Sequence, residues 1–135
     1  MADNNGRCAV RGGACVWYFP DGYLPEKVGE GPLEGHEALM LLNTGEKPAE
    51  VLLDFYFEDR DPVKNIPVSV QAERILGLRL DNPQDIGGLE ISPMTQYSIR
   101  VRSDVPIVAQ FGRLDTTQTN MAYYSPPGFF ENPQT

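Results

Sequence analysis

This chain is short of the groups that catalysis and metal binding use most. Its 135 residues hold one histidine, two cysteines and one tryptophan. The single histidine, His36, excludes a multi-histidine metal site and leaves a Ser–His–acid arrangement one centre to build on. No G-x-S-x-G nucleophile turn accompanies it. Cys8 and Cys15 have six residues between them, which matches no standard zinc spacing, and no second Cys/His pair exists. They read as two idle thiols, in keeping with a reducing compartment. No apolar run approaches the ~20 residues that span a membrane, and residues 1–13 lack the apolar core of a signal peptide. A cytoplasmic protein with no membrane insertion is expected. No cofactor signature and no EF-hand pattern is present, so no cofactor and no metal are expected.

Basic residues are also scarce. Eleven Lys and Arg face nineteen Asp and Glu, for a net charge of −8. Such a balance opposes non-specific contact with nucleic acid or anionic lipid. Arg100, Arg102 and Arg113 lie close in sequence, but Asp104 and Asp115 sit among them, so nucleic-acid binding is disfavoured. Asp54, Glu58, Asp59 and Asp61 form an acidic string, read as a solvated face.

Proline and glycine are plentiful. Twelve prolines and thirteen glycines punctuate the chain at short intervals and leave little room for helices. Strand-like segments are expected at 15–19, 37–43, 49–57, 66–70, 74–80, 97–102, 107–111 and 120–124. Short strands with regular turn signals predict an all-β, single-domain antiparallel β-sandwich, jelly-roll-like or related. The alternation in 49–57 supports this: Ala49, Val51, Leu53, Phe55 and Phe57 share one face, and Glu50, Leu52, Asp54 and Tyr56 the other. Asn43-Thr44-Gly45-Glu46 reads as a hairpin turn. Residues 20–35, rich in Pro and Gly, read as a long, mobile loop. The domain is expected at 14–125, after an extension at 1–13 and before a Pro-rich tail at 126–135. That tail is expected to lie loose or to pack on a neighbouring subunit through Phe129 and Phe130.

Two strand ends stand out. The apolar strand 107–111 runs into Arg113 and Asp115, which share a strand face. His36-Glu37 opens the apolar strand that ends at Leu42-Asn43. If these ends meet, they form a polar site on a β scaffold.

The order of several blocks resembles the sensory rhodopsin transducer family. The blocks are Trp17, then Gly22-Tyr23-Leu24-Pro25, then His36-Glu37 leading to Leu42-Asn43. Phe55-Tyr56-Phe57-Glu58-Asp59 with Pro62 follows. The last is Ser103-Asp104-Val105-Pro106-Ile107-Val108-Ala109-Gln110 with Arg113-Leu114-Asp115. The resemblance runs from about residue 17 to 123, and the ordered set of blocks carries it. It implies a small bacterial β-sandwich that assembles as a homotetramer. It also implies a signalling role, either as a sensor that binds a small molecule, notably a sugar, or as a soluble partner of a sensory rhodopsin; DNA binding has also been proposed for the founding member.

Candidate ligand-binding residues follow from both lines. His36 and Glu37 point to opposite faces of a strand; each is either a hydrogen-bonded residue of the strand start or a ligand contact. Arg113 and Asp115 either pair with each other or grip a ligand, with Arg113 donating to hydroxyls or a carboxylate and Asp115 accepting from hydroxyls. Arginine's planar fork suits a sugar acid or phosphorylated sugar. Gln118 and Asn120 offer amides, and Asn43 closes the block that His36 opens. Trp17 and Tyr23 offer flat apolar faces for the C–H face of a sugar, with Trp17 equally at home in the core. The expected function is non-enzymatic binding of a small polar metabolite, a sugar or sugar acid, whose occupancy alters contacts with a signalling partner. The competing reading is an adaptor that docks on a membrane photoreceptor or another protein and needs no small ligand.

Overall fold

Side-chain alternation dictates which face of each strand leaves water, and the strands assemble on that rule. In the computed structural model, which describes residues 11–26, 33–118 and 120–133, these are β1 (Ala14–Gly22), β2 (His36–Asn43), β3 (Ala49–Phe57), β4 (Val63–Val70) and β5 (Arg74–Arg79). A one-turn 3-10 helix (Pro83–Ile86) follows, then β6 (Tyr97–Asp115), β7 (Ala122–Tyr124) and β8 (Phe129–Glu131). Every strand pairing is antiparallel. The fold is all-β, and both ladders share β6: its first half lies in the order β4-β3-β6-β1-β8, and its second half pairs with β2 and β7, with β5 on the far side of β2. Leu39 and Leu41 of β2, Val51, Leu53 and Phe55 of β3, and Ile99, Val101, Ile107 and Phe111 of β6 fill one core. A single core fed by both ladders is consistent with the expected sandwich.

The strands expected at 97–102 and 107–111 are one strand of 19 residues. The register against β1 moves from Val16↔Arg102 to Ala14↔Ile107, so a bulge takes up the surplus residues. Pro106 sits inside that bulge, where the ladder asks for no N–H. Across the bulge the odd-numbered residues Tyr97, Ile99, Val101, Ile107 and Phe111 all stay buried. The same parity carries Arg113 inward at the strand's far end.

Three further expectations change. The segment 20–35 is not a loop throughout, because β1 runs on through Pro20 and Asp21 to Gly22, which pairs with Tyr97. Only glycine fits there: a Cβ on Gly22 would collide with the Tyr97 ring. Residues 27–32 of that segment lie outside the described residues, as does Cys8. The tail is not loose. β8 pairs with β1, Phe130 lies 5.3 Å from Trp17, and Asn132 Oδ1 accepts the Cys15 N–H at 2.9 Å. A three-residue strand covers an edge that β1 would otherwise expose. Finally, Asp54 belongs to no solvated acidic face. It is fully buried beneath Arg100 and Arg102, whose guanidiniums reach it at 2.8 Å. Arg100 is its direct cross-strand neighbour, so the outward parity of Asp54 delivers it into a cage of cations rather than into water.

Candidate ligand-binding site

Inward parity places Glu37 of β2 and Arg113 of β6 directly opposite each other at the rim of the core. The two strand ends singled out in the sequence do meet. Glu37 is 1% exposed, and both carboxylate oxygens are engaged. Oε1 accepts the Tyr97 hydroxyl at 2.7 Å, while Oε2 accepts Arg113 Nε at 2.9 Å and the Tyr23 backbone N–H at 3.0 Å. Burial, and then the carboxylate beside it, hold the Tyr97 phenol protonated far above its ordinary range.

Arg113 is largely enclosed. Its Nη2 donates to the Asp21 carbonyl at 3.0 Å, and the Tyr124 ring lies 5.0 Å from the guanidinium carbon. Its side chain is 14% exposed, with Nε held by Glu37 and Nη2 by the Asp21 carbonyl. Arg113 and Asp115 do not pair. Asp115 accepts the Thr117 hydroxyl at 2.6 Å and its backbone N–H at 2.8 Å, and those two bonds lower its pKa.

The buried network supports a surface. By holding the Tyr23 N–H, Glu37 fixes the point where the chain leaves β1. Tyr23 then stands in the wall of an open cleft of about 310 Å³ with Glu58, Asp59, Met94, Thr95 and Gln96. Tyr23 Oη lies 3.1 Å from Met94 Sδ, and the Met94 N–H donates to the Leu24 carbonyl at 2.7 Å. Met94 adopts φ +69°, a left-handed conformation costing about 1 kcal/mol or more in a non-glycine residue. Gln96 Nε2 donates to Asp21 Oδ1 and to the Gly22 carbonyl, both at 3.0 Å. On the other side of the Leu24–Met94 tie, a much smaller cleft of about 60 Å³ is lined by Glu26, Gly35, Pro93, Asp115 and Thr117 among others. An aromatic wall with amide, hydroxyl and carboxylate groups at its edge is the chemistry that holds a small hydroxylated molecule.

The sequence candidates thus divide. Tyr23 and Asp115 line the two clefts, and Glu37 and Arg113 lie beneath them. His36 points to the opposite face from Glu37, as expected, and its Nδ1 lies 3.1 Å from the Glu34 carbonyl. Gln118 is exposed on the turn after β6 and accepts the Met121 N–H through its backbone. Asn43 is elsewhere, buried at the far end of β2. Its amide donates to the carbonyls of Lys47 at 2.8 Å and Val70 at 3.1 Å, and its Oδ1 accepts the Gly45 N–H at 2.9 Å. It pins the expected 43–46 turn. Trp17 is part of the β1 packing: its indole N–H is shared between the Ile107 carbonyl at 3.0 Å and the Ala14 carbonyl at 3.2 Å, and Phe130 covers its ring. Tyr97, Asp21 and Gln96 were not singled out. Tyr97 alone carried a signal, since an inward tyrosine must find an acceptor for its hydroxyl.

Comparison with known proteins agrees with this architecture. No curated protein matches the sequence. The crystal structure of Thermotoga maritima 1070 superposes with a TM-score of 0.77 and 37% identity, covering 90% of this chain and 98% of that one. The structure of the Anabaena sensory rhodopsin transducer superposes with a TM-score of 0.62 and 31% identity, over 73% of this chain and 93% of that one. The sequence profile of the Anabaena sensory rhodopsin transducer family matches residues 12–130, a span that takes in the Pro-Pro-Gly-Phe-Phe segment of the tail. The chain belongs to the Anabaena sensory rhodopsin transducer family.

Proposed function

We propose that this member of a signal-transducing family is a non-enzymatic sensor that binds a small polyhydroxylated metabolite, a sugar in the first instance, in the cleft walled by Tyr23 and Gln96. The supporting observation is the convergence of an aromatic ring, an amide and carboxylates on a cleft whose wall is fixed from below by buried Glu37. Ligand that favours one arrangement of the cleft wall at Tyr23 and Met94 over another shifts the population and changes what a partner meets. A thermal-shift screen against neutral sugars, sugar acids and sugar phosphates tests the reading. A ligand at a hundredfold its dissociation constant stabilises by about 2.7 kcal/mol. A shift that is lost in Tyr23→Ala, with the variant folded, supports the sensor; no shift with any compound rejects it.

A second reading, the adaptor that docks on a sensory rhodopsin or other protein, has its own support. The outward face of β2, β5 and β6 exposes Met40, Leu42, Ile75 and Val108, and Leu42 pairs directly with both Ile75 and Val108. A contiguous apolar row on an outer face is a docking feature. A partner captured by the intact chain and lost with Ile75→Lys, in the absence of added ligand, favours this reading over the first. Assembly as a homotetramer is carried with both readings.

A further inference from the structure

We propose that the Tyr23–Gln96 cleft selects neutral or amino-bearing hydroxylated ligands and discriminates against their carboxylate and phosphate forms. The inference rests on the sensor reading and names the ligand's charge class. The sequence leaves sugar and sugar acid both open, with Arg113 read as a fork that suits the acid. In the structure that guanidinium is engaged beneath the cleft and is not among its lining residues: Glu37 holds its Nε, Asp21 holds its Nη2, and Tyr124 covers its face. Among the described residues, the carboxylate at the cleft with no cation across from it is Glu58. Glu58 and Asp59 line the cleft, Asp21 lies behind Gln96, and no lysine or arginine is among its described lining residues. Arg60, next to Asp59 in the chain, is committed to it at 2.9 Å and lies over the Phe57 ring. The smaller neighbouring cleft repeats the pattern, with Glu26 and Asp115 and no described cation in its lining.

An incoming carboxylate would meet Glu58 with no guanidinium in the described cleft lining to receive it. A hydroxyl, by contrast, can donate to Glu58 or Asp59, and an ammonium can pair with them. The opposing charges are partly solvated, so the discrimination is salt-sensitive.

The test uses the full chain, labelled with 15N, and titrates matched triads by NMR: glucose, glucosamine and glucuronate, and the galactose and mannose equivalents. The inference expects chemical-shift changes at the Tyr23 and Gln96 amides. It also expects the uronate of the binding series to bind about tenfold more weakly than its hexose at low salt, with the gap closing to about twofold in 0.5 M NaCl. The exposed Glu58→Lys variant is expected to reverse the order of hexose and uronate. A uronate that binds as tightly as its hexose at low salt, or an order that Glu58→Lys leaves as it was, overturns the charge inference while leaving the sensor reading in place. No response from any triad rejects the sensor reading itself, and the inference with it.

Discussion

Glu37 accepts three hydrogen bonds where water scarcely reaches, and this makes it the residue on which the rim of the fold turns. Glu37→Leu leaves the Arg113 guanidinium and the Tyr97 hydroxyl buried without their acceptor. Removing one partner of such a pair is expected to destabilise the protein by about 3–5 kcal/mol, read as a lower urea midpoint. Glu37→Leu combined with Arg113→Met is expected to cost clearly less than the two single changes added together, because no lone charge is then left inside. Asp54 makes a different prediction. Burial raises its pKa, but the hydrogen bonds from Arg102, the Asn65 N–H and Arg100 outweigh that effect and bring it down to about 2, against an ordinary 3.8. The unfolded chain therefore takes up this proton first as pH falls. The stability Asp54 supplies is complete above about pH 4 and is lost between there and about pH 2, amounting to about 2 kcal/mol. Asp54→Asn is expected to be less stable at neutral pH and to lose the Asp54 share of the acid-limb slope, measured by urea titration at several pH values.

At the scale of elements, β6 explains both what the sequence discloses and what it conceals. Its alternation marks the inward residues on either side of residues 103–106, but Ser103, Asp104 and Pro106 carry the marks of a turn. Only pairing with β1 and β3 on one side and β2 on the other shows that the chain stays extended through them. The meeting of the Glu37 and Arg113 strand ends is legible because parity runs unbroken through the core. That Arg113 is covered is not legible, since Asp21 approaches it from the other end of the chain and Tyr124 does so through a pairing with β7 that the alternation of β6 does not reveal. Composition misleads in the same way at the tail. Pro126, Pro127 and Gly128 read as irregular chain, yet they bring Phe129 and Phe130 against β1. Gly128 lies so close to Phe19 and Trp17 that a Cβ there would collide with the Phe19 ring. Truncation after Ser125 is expected to leave the rest folded but to cost about 2 kcal/mol through lost apolar cover. The sole tryptophan, Trp17, makes the loss visible as a red shift of its emission together with a lower melting temperature. A truncated chain with unchanged emission would mean that β8 does not cover Trp17 in solution.

At the scale of the whole molecule, an exposed apolar row has to be reconciled with a net charge of −8. The charge keeps identical copies apart at long range, whereas Met40, Leu42, Ile75 and Val108 reward close contact once made. Ile75 is 64% exposed on β5, which among the described residues pairs with β2 alone and so leaves a sheet edge beside the row. Assembly is one way to cover both. The expected mass in light scattering is about 60 kDa, four times the 15.0 kDa chain. Ile75→Lys separates the two uses of this face. The substitution lies on the surface and is expected to leave the melting temperature of the isolated chain within a few degrees of the parent. If copies of the chain cover the row, the variant falls to a lower mass, because a lysine cannot be buried there without a partner. If the variant keeps the parent mass, the copies meet elsewhere and the row stays open for a different protein, as the docking reading requires.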